Sequence, residues 1–158
     1  MSPAARTSAG ILLYRRTPTG ALEVLLAHMG GPYFAAKDEG AWSIPKGEYA
    51  EDEAPWDAAR REFEEETGQP APDGPAVELG QIKQRNGKVV TAYALEGDFD
   101  PETLRSNTFE LEWPPRSGRL QEYPEMDRAA WFDPDTARAK VLSSQGELID
   151  RLERTLDL

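Results

Sequence analysis

Apolar positions along this chain follow two periods, and the change from one to the other separates strands from helices. Residues 8–14 and 22–27 are nearly unbroken apolar runs, the pattern of strands covered on both faces. Thr17-Pro18-Thr19-Gly20 between them is turn chemistry, so the pair predicts a hairpin. Gly30-Gly31-Pro32 opens a loop that runs to about Gly40, and residues 42–44 form a short extended piece stopped by Pro45. From Pro55 the spacing becomes three and four: Trp56, Ala59, Phe63 and Thr67 make one helical stripe that should face the core. Pro55 suits the first turn of that helix, Asp57 suits its dipole, and Gly68 supplies its end after Thr67.

Further on, residues 77–82 and 88–95 predict strands flanking Asn86-Gly87, a favoured hairpin pair. Residues 101–107 read as a connection. Residues 108–113 alternate and predict another strand, ended by Pro114-Pro115. Residues 116–127 are polar and turn-rich and predict a loop; residues 129–132 are short and apolar, and Asp133-Pro134 starts a brief helix. Residues 145–156 form an amphipathic helix with Leu148, Ile149, Leu152 and Leu156 on one side. That stripe is expected to pack in the core, with a homodimer contact as the alternative. No internal repeat, low-complexity tract or linker interrupts the pattern, which is that of one α/β domain.

Composition narrows the classes. At 158 residues, 39% hydrophobic and 30% charged, the chain is globular and long enough for a core without covalent staples. No run approaches the roughly 20 apolar residues of a membrane span, and residues 1–10 lack the apolar centre of a secretion signal. A cytoplasmic protein is expected. Cysteine is absent, which removes disulfides, zinc–thiolate sites and thiol nucleophiles together. A net charge of −11 disfavours non-specific binding to nucleic acid or to anionic membranes. An anionic substrate would need the local field reversed, and a bound divalent cation does that.

Glu62, Glu65 and Glu66 stand at i, i+3 and i+4, so they share one helix face with Cβ atoms roughly 5–6 Å apart. A solvated acidic face has the same spacing. Crowding like charges destabilises a bare helix, however, and a hard cation resolves the conflict: Mg²⁺ takes oxygen ligands, only a few of them from protein. Glu53 and Glu64 add charge nearby. The surroundings decide between the two. Gly47, five residues, Glu53, seven residues, then Arg61-Glu62-Phe63-Glu64-Glu65-Glu66-Thr67-Gly68 resembles the signature of the Nudix hydrolases over residues 47–69. Seven fixed identities arise by chance with odds on the order of one in a million. Gln69 departs from the aliphatic residue that the family prefers there, and Phe63 is bulkier than usual.

The resemblance implies a single-domain α/β/α sandwich with a mixed β-sheet, and hydrolysis of a phosphoanhydride in a nucleoside diphosphate-linked substrate. It implies Mg²⁺ as cofactor, with Mn²⁺ as a substitute, held by Glu62, Glu65, Glu66 and the backbone carbonyl of Lys46. Arg61 would orient a motif carboxylate, with Glu53 as its partner. Glu62 and Glu65 inside the motif, and Glu122 or Glu125 outside it, are the alternatives for the general base. Trp42-Ser43-Ile44-Pro45-Lys46-Gly47 is similar to the lead-in of Nudix enzymes acting on dinucleoside polyphosphates, RNA 5′ ends or related polyphosphates. Lys46 would then contact phosphate, and Arg116 and Arg119 would bind substrate from a Gly-containing loop. Lys83, Arg85 and Lys88 are further cations expected around the cleft. His28, the only histidine, is expected to be structural rather than a substrate contact. The small-molecule partner that the resemblance implies is a nucleotide. Removal of damaged nucleoside triphosphates is a second enzymatic reading. A nucleotide-binding regulatory module without turnover is a third, and the intact carboxylate set weighs against it.

Overall fold

The computed structural model describes residues 7–158; the reading of the N-terminus as lacking a secretion signal falls partly on residues 1–6, outside the described residues. In chain order the strands are β1 (Thr7–Arg16), β2 (Leu22–Met29), β3 (Trp42–Ser43), β4 (Lys46–Glu48), β5 (Ala76–Lys83), β6 (Val89–Glu96), β7 (Thr108–Glu112), β8 (Leu120–Pro124) and β9 (Met126–Phe132). The helices are α1 (Pro55–Thr67), α2 (Pro134–Lys140) and α3 (Gly146–Thr155).

β1 is the spine. Ala9, Ile11 and Leu13 point to one face, where they pack with Leu25, Leu95, and Ala58, Ala59 and Phe63 of α1. Leu12 points to the other face and joins Val24, Leu26, Ile82 and Val90 beneath Ala137 of α2 and Leu148, Ile149 and Leu152 of α3. Both faces of the strand are therefore covered, which is why its sequence is apolar without alternation. The result is three layers, α/β/α, around a mixed sheet. β6 runs parallel to β1 from Thr7↔Val89 to Tyr14↔Glu96, and β5 folds back antiparallel on β6.

The other edge of β1 is divided between two partners. β2 pairs only with Tyr14–Arg16, while β4 takes Ser8–Gly10. β2 veers off to pair with β9 and β3, and the gap it leaves admits β4. Gly10 permits that approach, since a Cβ there would lie 2.7 Å from both the Cβ of Lys46 and the carbonyl oxygen of Pro45. The segment leading into α1 is thereby threaded against the central strand.

α1 begins at Pro55 and ends at Gly68, which has φ 82° and whose N–H donates to the Glu64 carbonyl at 2.8 Å. A side chain at Gly68 would also strike the carbonyl oxygen of Arg105 at 2.7 Å. Gln69 is exposed, so a polar residue there disturbs no packing. Leu148, Ile149 and Leu152 of α3 are buried within the domain. No helix among the described residues is long and apolar enough to cross a membrane.

One expectation fails. Residues 116–127 contain β8 and the start of β9 rather than a continuous loop. β8 pairs only with β7, as a separate two-stranded ladder, and most of its residues are exposed. With no core face on β8, its sequence carries no apolar alternation to mark it.

Candidate active site

α1 is anchored by Ala59, Phe63 and Thr67, and the turn of the helix that meets β4 carries Glu62 and Glu66. Both carboxylates are nearly buried, at 7% and 6% exposure, whereas Glu65 is exposed. Glu66 Oε1 accepts the backbone N–H of Lys46 at 3.1 Å. Arg61 grips Glu53 with two parallel bonds of 2.9 Å, from Nε to Oε2 and from Nη2 to Oε1. Its Nη1 donates to Glu62 Oε1 at 2.9 Å and to Glu65 Oε1 at 3.1 Å. One guanidinium thus ties three carboxylates together.

These groups surround a cavity of about 400 Å³ lined by Lys46, Glu48, Glu62, Glu65, Glu66 and Glu125, with Ser8, Gly47, Lys88 and Asn107 completing the wall. Five carboxylates face two ammonium groups. Burial pushes the Glu66 carboxyl up to about 8, against the opposing pull of the Lys46 amide. Burial, reinforced by the charge of Glu65, also raises Glu62, and burial raises Glu125. Lys46 is lowered by burial, with the charge of Glu66 acting the other way. Hydrogen bonding to Glu53 holds the Arg61 guanidinium firmly charged.

Among the described residues no three carboxylate or imidazole side chains already converge on one point. Instead Arg61 engages Glu62 and Glu65, and the Lys46 amide engages Glu66. The donor set nevertheless fits a hard divalent cation. It is all oxygen, it opens on a cavity, and its two inner carboxylates sit where burial makes negative charge unfavourable.

A family comparison agrees with this geometry: the NUDIX domain model matches residues 4–152. The chain belongs to the Nudix family. It is a pyrophosphohydrolase of the Nudix type, acting on nucleoside diphosphate derivatives. No curated protein matches it significantly. Among solved structures it is similar to a C. elegans Ap4A hydrolase in a binary complex, at 20% identity and TM-score 0.62, covering 97% of this chain and 98% of that one. The NUDIX domain of Shewanella oneidensis NrtR complexed with ADP ribose is similar at 16% identity and TM-score 0.65, over 98% and 90%. A mutT/nudix family protein from Listeria innocua is similar at 18% identity and TM-score 0.62, over 99% and 96%. At such identities the likeness is one of fold.

In this Nudix protein the structure brings Lys46, Glu53, Arg61, Glu62, Glu65 and Glu66 together, with Lys88 and Glu125 on the cavity wall. It does not bring the remaining cations there. Arg116 and Arg119 occupy the closing turn of the β7–β8 hairpin, and Arg85 lines a different cavity with Ser143 and Ser144. Glu122 pairs across the hairpin with Glu110, both exposed, and does not line the cavity. His28 is fully buried, with Nδ1 2.8 Å from Asp127 Oδ1 and Nε2 donating to the Lys37 carbonyl at 2.6 Å. It ties β2 to β9 and to the loop after β2.

Two residues of the site carried no signal in the sequence. The Asn107 N–H donates to the Glu65 carbonyl and its own carbonyl accepts from Glu125 N–H, both at 2.8 Å. This backbone bridge fixes Glu125 relative to α1. Gln145, buried at the start of α3, accepts from Ile44 N–H at 3.0 Å and donates to Ser43 Oγ at 2.9 Å, bracing the lead-in to Lys46. Backbone bonds and contacts across about 100 residues leave no local pattern to read.

Proposed function

We propose that this Nudix protein is a divalent-metal-dependent hydrolase that cleaves a phosphoanhydride bond in a nucleoside polyphosphate. Dinucleoside polyphosphates and nucleoside triphosphates are its substrate class, and Mg²⁺ is its cation with Mn²⁺ as substitute. One observation carries the reading: two buried carboxylates, Glu62 and Glu66, are built into the floor of an open cavity beside the amide of Lys46. Burying carboxylates is costly unless a counter-charge arrives. The Ap4A hydrolase and the ADP-ribose complex among the structural neighbours support a nucleotide ligand.

Glu62, Glu65, Glu66 and the carbonyl of Lys46 would hold the cation. Bound there, it would neutralise phosphate charge and lower the pKa of the attacking water. The chain's own groups do the rest. Arg61, braced by Glu53, orients Glu62 and Glu65. The Lys46 and Lys88 ammonium groups meet phosphate oxygens at the cavity wall. Glu125, pushed up by burial and set by the Asn107 bridge, accepts the proton of the attacking water.

The test is a panel of nucleoside triphosphates, dinucleoside polyphosphates, nucleotide sugars and 5′-triphosphorylated RNA, with product identification, in Mg²⁺ and in chelator. Turnover that persists undiminished in chelator, or in the Glu66→Gln variant, would sink the proposal. Binding across the panel without any turnover would favour the regulatory-module reading.

A further inference from the structure

Beyond the carboxylate cavity, the β7–β8 ladder has two faces of opposite character. Directly paired residues of an antiparallel ladder point to the same side. Phe109 and Tyr123 therefore share one face with Leu111 and, past the last rung, with Trp113 and Arg119. Glu110, Glu112 and Glu122 share the other. The ladder is rooted at the cavity, because Asn107 and Glu125 line that cavity and are joined by a 2.8 Å backbone bond. Trp113 stands six residues beyond Asn107, about 20 Å along an extended strand.

The loop after β2 leans on this aromatic face. Gly31 rests on Phe109, so closely that a Cβ there would lie 2.8 Å from the ring Cζ. Tyr33, 56% exposed, meets Trp113 edge to face with centroids 5.1 Å apart at 78°. The exposed Tyr33 keeps ring surface in solvent, where a third planar group can stack. Arg116 and Arg119 are exposed and, like Arg16, Arg85, Arg105, Arg128 and Arg154, have no ion-pair partner among the described residues; of these, Arg119 shares the aromatic face of the ladder with Trp113. Arg116 also holds a φ of 62°, a conformation that costs a side-chain-bearing residue energy and tends to persist at ligand sites.

We propose that Tyr33 and Trp113 bind the far nucleobase of a dinucleoside polyphosphate whose phosphates run along the aromatic side of the hairpin to the carboxylate cavity, and that Arg116 and Arg119 hold the phosphate beside that nucleoside. This rests on the reading that the cavity holds the phosphoanhydride to be cleaved. Three features select the occupant. The acidic side of the hairpin repels a polyanion and confines it to the aromatic side. Unpaired guanidinium groups beside aromatic rings complement a nucleotide in charge and shape. Finally, Trp113 lies about 20 Å of extended strand beyond Asn107 at the cavity wall, so the pair addresses the second nucleoside rather than the first.

The experiment is calorimetric binding, in Mg²⁺, of a methylene-bridged, non-hydrolysable dinucleoside tetraphosphate and of inorganic tripolyphosphate as the base-free probe. Trp113→Ala and Tyr33→Ala should each weaken the dinucleotide analogue by roughly five- to 150-fold, the range of one lost base–aromatic stack. Tripolyphosphate affinity should change less than twofold. Tyr33→Phe should restore the wild-type value, and Arg119→Gln should weaken both probes. Equal losses for the two probes in Trp113→Ala or Tyr33→Ala, or no loss for Tyr33→Ala, overturn the proposal. If Trp113→Ala does not fold, the exposed Tyr33 carries the comparison alone. Sedimentation showing a wild-type dimer that Tyr33→Ala disperses would make this face a contact with a second copy, and would also overturn it. Base-dependent binding of the analogue, with no hydrolysis of the unmodified dinucleoside tetraphosphate in Mg²⁺, would instead overturn the hydrolase reading and leave Tyr33 and Trp113 as a nucleobase-binding pair.

Discussion

Gly47 and Glu62 are in direct backbone-to-carboxylate contact: a Cβ on Gly47 would fall 2.1 Å from both Cδ and Oε2 of Glu62. β4 therefore passes directly over the Glu62 carboxylate of α1, with no side chain of its own at that point. That passage closes the cavity floor and buries a carboxylate which the helix alone would leave in water. The glycine of the motif is a steric requirement of the carboxylate face, not of the chain's conformation, since its φ is unexceptional.

Replacing Gly47 by Ala should displace the Glu62 carboxylate while leaving the fold intact. We expect kcat to fall at least tenfold and the Mg²⁺ concentration for half-maximal rate to rise. Thermal unfolding in chelator should change by only about 1 kcal/mol. Unchanged metal dependence in this variant would remove Glu62 from the ligand set.

Arg61→Lys keeps the charge but loses the fork that holds Glu53 with two bonds and reaches Glu62 and Glu65. A drop in kcat of about a hundredfold is expected. In a double-mutant cycle with Glu53→Gln the losses should fail to add, with a coupling of about 1–3 kcal/mol. Additive losses would show that the Glu53 brace does not act through Arg61.

The metal-free protein should lose stability as the solution becomes more alkaline. In the fold Glu66 titrates at about 8, well above its ordinary 4.5. Between those values the folded chain holds a proton that the unfolded chain has released, so the contribution is complete below the unfolded value and is lost as pH rises toward the folded one. Chemical denaturation in chelator should show stability falling by up to a few kcal/mol from about pH 5 to about pH 8. Glu66→Gln should flatten this slope, and a slope unchanged in that variant would assign it to another group.

Glu65→Gln separates a ligand from a structural role. Mg²⁺ at a hundredfold excess over its Kd should stabilise the wild-type protein by about 2.7 kcal/mol, and the variant should show a smaller increment. Charge crowding on the bare helix would make the variant slightly more stable in chelator. Arg61 already bonds Glu65 at 3.1 Å, so a small loss, about 0.5 kcal/mol for an exposed i,i+4 pair, is expected instead. A full Mg²⁺ increment in the variant would show that Glu65 is not a ligand.

What the sequence determined by itself is local. Helix α1 was legible to its last residue because Pro55, the Trp56–Thr67 stripe and Gly68 are signals carried by the helix's own geometry. The apolar runs of β1 and β2 and the turn pair Asn86-Gly87 were legible for the same reason, and the motif spacing placed the three glutamates on one helix face. What only the tertiary structure decided is which of those glutamates is buried, where Glu125 stands, and that β8 exists. Glu62 and Glu66 are buried by β4, a three-residue strand admitted by the divergence of β2 from β1. Glu125 is positioned through backbone bonds of Asn107, which any residue type except proline could make. β8 finds its partner in β7, with one face of the pair in solvent and the other against the loop after β2 rather than the core, and Arg116 and Arg119 are carried to the tip of that hairpin, away from the cavity. Periodicity records which side of an element meets the core; it holds no record of an element without a core face, nor of a contact made by the backbone alone.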